Sequence, residues 1–164
     1  MLYTKRLLLR PFQLSDLNDY HSIFAQKAIG DWLGRSDGFT LEQTKAMLLR
    51  MIQTWENYGY GPWAMIHLEH QKLIGHCGLK YTQRFEVPEL LYAIDPAYQR
   101  QGLTVEAAQQ ALVWGHETCG LSDFVCYTQP HNLASRGVME KLGFQFQHDF
   151  MHADLPHLLY RLSI

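Results

Sequence analysis

Residues 99–104, QRQGLT, combine a cation, a glycine and the start of a helix, and these features together suit phosphate binding. The connection lies between an apolar stretch at 89–94 and an alanine-rich stretch that begins at 104. The first N–H groups of a helix have no partner inside the helix, and the helix dipole adds partial positive charge there. Gly102 allows close approach to the backbone, and Arg100 adds a charge-assisted contact. The pattern predicts a pyrophosphate cradle, although an ordinary strand-to-helix turn would have a similar composition.

A second candidate lies in the stretch HNLASRGVMEKLGF, where a hydroxyl falls on an apolar helix face. Asn132 is a good helix N-cap, and Ser135 follows one turn later. Ser135 shares its helical spacing with Val138, Met139 and Leu142, so its side chain should point towards a sheet. Two interpretations remain: a hydroxyl satisfied by nearby backbone, or a hydroxyl that faces a ligand between two strand–helix units.

The elements that must position these residues follow from hydrophobic periodicity and turn signals. Thr40 and Gln43 form a capping box in front of a helix at 41–58, and Gly120 and Gly143 end two later helices. We predict one α/β domain with a mixed, mostly antiparallel sheet flanked by helices on both faces. The predicted strands are 4–12, 63–70, 73–81, 89–94, 123–128, 144–150 and 157–163; the helices start at 15 or 16 and span 41–58, 104–118 and 132–143; the loops include 28–39 and 82–88.

Composition excludes several classes of function. The formal net charge of −2 argues against a broad nucleic-acid surface, and no apolar run approaches a membrane span. Three widely spaced cysteines without a CxxC pair predict reduced thiols in a cytoplasmic protein. The nine histidines have no helical ligand spacing with a carboxylate partner, so no metal is expected.

Taken together, the motifs resemble the GNAT superfamily of N-acetyltransferases, and in particular its RimJ/RimL-like branch. QRQGLT resembles the coenzyme A motif of the superfamily, and NLASRGVMEKLGF resembles the motif that follows it in this branch. The segments TKRLLLRPFQLSDL, KLIGHCGL and ELLYAIDPAYQRQGLTVEA are similar to the branch in order and spacing. The resemblance runs through essentially the whole chain and implies one acetyltransferase domain at 1–164.

The resemblance also implies a role for each segment, with acetyl-CoA as the cosubstrate and no metal. Main-chain N–H groups at the helix start would hold the pyrophosphate, at Arg100, Gln101, Gly102, Leu103, Thr104 and Val105. The strand edge would pair with the pantetheine arm, at Tyr92, Ala93 and Ile94, where this strand splays from the strand at 123–128. Asn132 and Ser135 would touch the pantetheine or its thiol end.

Two positions depart from the family pattern. Thr104 stands where a glycine or alanine is usual, and its branched Cβ narrows the approach to the cradle. Met139 stands where many members have a tyrosine general acid, and methionine cannot donate a proton. This chain must therefore use Ser135, a water molecule or no acid at all.

The acceptor amine must lose a proton before it attacks a thioester, because alkylamines are protonated near neutral pH. Glu89 is our candidate base, since it opens the cleft strand and the family often places a glutamate there. Glu86 is the nearby competitor, and a solvated charge at the end of a strand is the alternative for Glu89. A main-chain N–H near Ile94 would hold the oxyanion.

These features predict an acetyl-CoA-dependent N-acetyltransferase that acts on a primary amine, either a protein N-terminus or a small molecule. The alternative is a GNAT-fold module that binds acetyl-CoA without catalysis. A nucleotide-binding protein is less favoured, because the loop is neither a Walker A nor a GxGxxG motif. The acceptor would lie among loops 28–40, 57–62 and 82–88, which carry Trp32, Tyr58, Tyr60 and Phe85; few carboxylates there argue against polyamines. The sequence is compatible with a monomer or a homodimer.

Overall fold

A twisted sheet of eight strands runs through the protein in the computed structural model, which describes residues 1–35 and 37–164. The strands are β1 (Leu2–Tyr3), β2 (Leu7–Pro11), β3 (Pro62–His67), β4 (Lys72–Thr82), β5 (Val87–Ile94), β6 (Asp123–Thr128), β7 (Gln145–His152) and β8 (Leu155–Ser163). The helices of the described residues are α1 (Leu17–Phe24), α2 (Lys27–Trp32), α3 (Leu41–Tyr58), α4 (Leu103–Cys119) and α5 (Leu133–Lys141). Short 3₁₀ turns precede α1 and follow β5.

The strand order is β1-β2-β3-β4-β5-β6-β8-β7, and every neighbouring pair is antiparallel except β5 and β6. The β5–β6 pair is in register at a single position, Glu89 with Val125. Beyond that pair the two strands separate, whereas β5 pairs with β4 along its full length. The structure therefore has the mixed sheet that the sequence predicts, with a gap between two central strands.

Helices cover both faces of the sheet, and each face has its own core. On one face, Leu9 and Met65 pack with the buried alanines of α4. On the other face, Ala64 and Leu73 pack with α1 and α3. Met65 and its neighbour Ala64 contribute to opposite cores because successive side chains of a strand alternate.

Small residues allow α4 to lie close to the sheet. Ala107, Ala108 and Ala111 have no exposed surface. A Cβ added to Gly115 would lie 2.5 Å from Leu79 Cδ1, so the helix and β4 could not remain so close with a larger residue. This close packing fixes the start of α4 relative to the end of β5.

Three sequence predictions about elements were wrong. The predicted strand at 4–12 starts too early, because residues 4–6 form the turn between β1 and β2, which Thr4 N closes by donating to Leu7 O at 2.9 Å. The predicted loop 28–39 contains α2, since Ile29 is buried against α1 and α3 and tertiary packing outweighs local glycine content. Ser36, in the same predicted loop, lies outside the described residues.

The predicted loop at 82–88 is also too long, because β4 reaches Thr82 and β5 starts at Val87. The two strands continue to pair as far as Thr82 with Val87. By contrast, α3 has the predicted bounds, with Thr40 and Gln43 in the predicted capping box. Among the described residues, no helix has the length and hydropathy needed to cross a membrane.

Candidate active site

The connection from β5 to α4 has an unusual backbone. Arg100 has φ of 61° and Gly102 has φ of 77°, so the two residues that flank Gln101 are both left-handed. Glycine adopts this conformation at little cost, whereas arginine does so rarely. Glu106 N donates to Gly102 O at 3.1 Å, which makes Gly102 the cap of α4. The N–H groups at 103–105 therefore have no helical partner.

The surroundings of Gly102 leave room for a ligand. A Cβ built on Gly102 would have only one other side-chain atom within 4 Å among the described residues, Arg6 Nη2 at 3.7 Å. Arg100 and Gln101 are exposed, Leu103 is buried, and Thr104 is half-buried. The helix start is thus anchored on its inner side and open on its outer side.

The part of β5 that carries Tyr92, Ala93 and Ile94 lies where β5 and β6 have separated. On its other side this part pairs with β4, with Tyr92 opposite Cys77 and Ile94 opposite Gly75. Its edge towards β6 is consequently unpaired within the sheet, and an extended ligand would find main-chain groups there. The gap ends beside the start of α4.

Tyr92 and Ser135 face each other across the space between β5 and α5. The Tyr92 hydroxyl lies 2.9 Å from Ser135 Oγ, and it also donates to Ser135 O at 3.2 Å. Burial raises the pKa of Tyr92 well above its ordinary value, so the phenol keeps its proton near neutral pH. Ser135 therefore points towards the sheet, as its helical spacing predicts.

Asn132 and Met139 stabilise α5 in different ways. Asn132 Oδ1 accepts from Ser135 N at 3.0 Å, so Asn132 is the predicted N-cap and its carbonyl oxygen is occupied. Met139 is fully buried in the core beneath α4. Its thioether therefore has no access to solvent in this structure.

Glu89 lies on the opposite face of the sheet from Tyr92. It is 8% exposed, and its Oε2 lies 3.1 Å from Lys80 Nζ and 3.2 Å from the donating Tyr127 hydroxyl. Glu86, the competitor, is exposed in the β4–β5 turn with φ of 57°. Of these two glutamates, only Glu89 is buried, and only its carboxylate is shown to contact a side chain of β6.

An aromatic and histidine cluster on this face is joined to Glu89 through the Tyr127 hydroxyl. Its members come from the β4–β5 turn, β6, β7 and β8, with ring centroids 5.1–6.4 Å apart between neighbours: Phe85, Tyr127, Phe150, His152 and His157. His157 Nδ1 lies 3.0 Å from Leu155 O, which favours the tautomer with a proton on Nδ1. Burial, followed by the nearby His157, lowers the pKa of His152. Burial and the nearby His157 thus both favour the neutral form of the His152 imidazole.

Of the aromatic residues that the sequence assigned to the acceptor region, only Phe85 joins this cluster. Tyr58 and Tyr60 stack near Tyr81 on the α4 face. Trp32 stacks on His131 at 5.4 Å, near the end of β6.

Sequence reasoning missed Lys80 and Tyr127 as contacts of Glu89, and Phe150 as a ring that packs on Tyr127. The β4–β5 hairpin would have indicated Lys80, which is opposite Glu89 in register. Nothing local to the sequence indicates the other two. Among residues 1–35 and 37–164, no group of three His, Cys, Asp or Glu side chains is arranged to hold a metal ion.

Comparisons with known proteins agree with this architecture. The GNAT acetyltransferase domain family matches residues 6–145. The chain is 28% identical over 142 residues to the uncharacterized N-acetyltransferase YnaD of Bacillus subtilis, covering 87% of this chain and 81% of YnaD. A putative GnaT-family acetyltransferase from Bordetella pertussis superimposes with a TM-score of 0.87 at 26% identity, over 99% of this chain and 98% of that one.

The fold is also that of RimL, a ribosomal L7/L12 alpha-N-protein acetyltransferase whose structure contains coenzyme A. That similarity has a TM-score of 0.82 at 17% identity, over 98% of this chain and 96% of RimL. The family match covers most of the chain, and the relatives that share its fold are acetyltransferases. The chain therefore belongs to the GNAT acetyltransferase family.

Proposed function

We propose that this acetyltransferase moves the acetyl group of acetyl-CoA to a primary amine, either a protein N-terminus or a small molecule. The observation that carries the proposal is the gap between β5 and β6, which runs from Glu89 to the open start of α4. One end of this gap offers N–H groups to phosphates, and the other offers a carboxylate to an amine. Residues 1–164 would form the single acetyltransferase domain.

Coenzyme A would extend along this gap. The N–H groups and Arg100 at the start of α4 would hold the pyrophosphate, at Arg100, Gln101, Gly102, Leu103, Thr104 and Val105. The pantetheine arm would pair with the free edge of β5 at Tyr92, Ala93 and Ile94. Asn132 and Ser135 would flank its thiol end; the Asn132 carbonyl oxygen is already used by the helix cap, so its amide N–H₂ group is available.

The proposed reaction uses groups from both faces of the sheet, Glu89 on one face and Ser135 on the other. The amine nitrogen attacks the thioester carbonyl, and Glu89 takes the proton that the nitrogen loses, directly or through water. A main-chain N–H near Ile94 stabilises the oxyanion until the C–S bond breaks. The departing thiolate accepts a hydrogen bond from the Ser135 hydroxyl, which the Tyr92 phenol supports from 2.9 Å. Glu89 then releases its proton to solvent, and the thiolate is protonated from solvent. A weak acid suffices, because thiols titrate at about 8.5.

The RimJ/RimL-like motifs and the fold shared with RimL support a protein N-terminal amine as the first acceptor to test. The side chains of the cluster beside Glu89 are aromatic rings and imidazoles, not carboxylates, which argues against a polyamine. A cytoplasmic location and a monomeric or homodimeric state stay predictions from the sequence.

A non-catalytic acetyl-CoA-binding module is the second candidate. Met139 favours it, because a fully buried thioether occupies the place of the usual acid. The two candidates differ in turnover but not in binding.

Thiol release with a panel of N-terminal peptides and small amines separates the two candidates. An acetyltransferase releases free coenzyme A in proportion to added amine, and mass spectrometry finds an acetylated product. A binding module shows a thermal shift with acetyl-CoA but no amine-dependent release. A shift with ATP and none with acetyl-CoA would refute both.

A further inference from the structure

The turn between β1 and β2 is fastened to the first turn of α4. Glu106 accepts from Thr4 Oγ1 at 2.6 Å and from Arg6 N and Nε, each at 2.8 Å. Arg6 Nη2 also lies 2.7 Å from Glu106 Oε2, the oxygen that accepts from Arg6 Nε. Burial by itself would raise the pKa of Glu106, but these hydrogen bonds from Thr4 and Arg6 lower it. Glu106 is therefore held as a charged anchor about 100 residues away in sequence from its partners.

Arg6 also reaches the loop in front of α4. Its Nη1 donates to Gln101 O at 2.8 Å, so one planar guanidinium contacts both the helix and the loop. The contacted carbonyl belongs to the peptide that joins Gln101 to Gly102. In a trans peptide the C=O and the following N–H point in opposite directions. While Arg6 holds this C=O, the Gly102 N–H points away from Arg6, and the proposed pyrophosphate site would lie on that side.

The loop needs such support because its backbone is not at an ordinary minimum. Arg100 and Gly102 both have positive φ, at 61° and 77°. Without a fixed carbonyl, rotation of the 101–102 peptide would turn an oxygen towards the phosphate in place of an N–H. A cavity of about 390 Å³ lies between the β1–β2 turn and this helix start, lined in part by Lys5, Gly102 and Gln109.

A second arginine–carboxylate pair, Arg10 with Asp16, resembles the pair of Arg6 with Glu106 but has no contact with the 99–102 loop. Arg10 contacts both oxygens of Asp16, at 2.8 and 2.6 Å, and Gln13 N donates to Asp16 at 2.8 Å. This pair fastens β2 to the start of α1, on the other face of the sheet. Arg10 and Arg6 therefore make similar carboxylate contacts, but only Arg6 binds the carbonyl of the phosphate loop.

We propose that Arg6 is a positioning residue for the acetyl donor, which acts by orienting the Gln101–Gly102 peptide so that its N–H faces the pyrophosphate. The inference rests on the proposed function, since it requires coenzyme A at the start of α4. The proposed role is indirect, because each nitrogen of the Arg6 guanidinium already contacts Glu106 or Gln101.

The test compares coenzyme A with pantetheine, which lacks the pyrophosphate, in titrations followed by amide NMR signals. Arg6→Lys keeps the charge beside Glu106 but cannot bridge to Gln101. We expect it to raise the Kd of coenzyme A about tenfold and to leave the Kd of pantetheine within twofold. The Gly102 amide signal should also lose its response to coenzyme A. Arg10→Lys, the control, should change neither Kd.

Other results would overturn the inference. Equal weakening of both ligands by Arg6→Lys would assign Arg6 a general role in folding, and an unchanged Kd for coenzyme A would remove any role at the loop. If Arg6→Lys does not fold, Glu106→Gln serves instead, since it retains Arg6 and weakens only its anchor; the same selective loss, smaller in size, is expected. Failure of the wild-type protein to bind coenzyme A would refute the proposed function and the inference with it, whereas normal binding with an unselective variant refutes the inference alone.

Discussion

The two halves of the proposed site lie on opposite faces of the sheet, and one consists of backbone groups whereas the other consists of side chains. On the α4 face, the proposed donor site consists of backbone groups from one continuous segment, the 99–105 connection, and of the unpaired edge of β5. On the α1 face, Glu89 depends on side chains from β4 and β6, namely Lys80 and Tyr127. A backbone site tolerates changes of side chain but not of φ, whereas a side-chain site tolerates neither loss nor misplacement of its groups. The following predictions test this difference, from the largest expected effect to the smallest.

Glu89→Gln should have the largest effect, because it removes the proton acceptor while it keeps the shape. We expect kcat to fall by about 10²–10⁴-fold, the usual contribution of a general base. Steady-state thiol release with an accepted amine measures it, across pH 6–9.

Glu86→Gln is the matched control, since this exposed glutamate lies three residues away. It should leave kcat unchanged. Unchanged kcat and pH dependence in Glu89→Gln would remove Glu89 as the base and direct attention to the neighbouring His152.

His76 makes the α1 face more sensitive to acid than the α4 face. It is buried, lies 2.8 Å from the Tyr20 hydroxyl, and burial, followed by the Lys80 charge, lowers its pKa to about 3. The unfolded chain binds this proton below pH 6.5 and the folded chain does not, so stability is full above pH 6.5 and falls as the pH drops towards 3. The loss at pH 5 is about 2 kcal/mol.

Urea unfolding of His76→Gln at pH 7 and pH 5 measures this contribution. The amide can still accept from Tyr20, and the difference between the two pH values should shrink by about 2 kcal/mol. His116→Gln, at an exposed position, should keep the wild-type difference. An unaltered difference in His76→Gln would show that other groups carry the acid sensitivity.

Gly102→Ala should weaken donor binding through the backbone alone. Alanine at φ of 77° is strained, and relief of that strain rotates the N–H groups at the start of α4. We expect the Kd of coenzyme A to rise about tenfold, equal to about 1.4 kcal/mol. Calorimetric titration measures it.

Gly120→Ala provides the same strain at the other end of α4, where φ is 67° and nothing lies within 4 Å of the added Cβ. Both variants should lose about 1–2 kcal/mol of stability, but only Gly102→Ala should lose affinity. Equal affinity losses would mean that helix stability, and not loop geometry, governs binding.

Tyr92→Phe should have the smallest effect, because the thiolate is a good leaving group. We expect kcat to fall about fivefold, as for loss of one hydrogen bond of about 1 kcal/mol. Since Tyr92 and Ser135 act together, the double variant with Ser135→Ala should be no slower than Ser135→Ala alone.

Tyr81→Phe is the control for Tyr92→Phe, since Tyr81 packs on Tyr58 away from α5. It should leave kcat unchanged. Independent, additive losses for Tyr92 and Ser135 would show that the two hydroxyls do not form one unit.

The success of sequence reasoning differed between the elements. Long elements with local signals were predicted well: α3 has a capping box and a clear end at Gly59, where φ is 71°. Short elements were not, since α2 exists because Ile29 is buried by neighbours that are distant in sequence. The turn that separates β1 from β2 was missed for a similar reason, because Thr4 closes it partly through its contact with Glu106.

By itself the sequence determined the family, the order of the central strands and helices, and the connection with Gly102 that we propose binds phosphate. These follow from local rules of capping, periodicity and backbone freedom, which act within a few residues. Only the tertiary structure decided that Arg6 contacts this connection, that Tyr92 meets Ser135, and that Lys80 and Tyr127 contact Glu89 while the β7–β8 rings pack on Tyr127. These contacts depend on strand register and on which residues share a face, and the register is set by packing of the whole sheet.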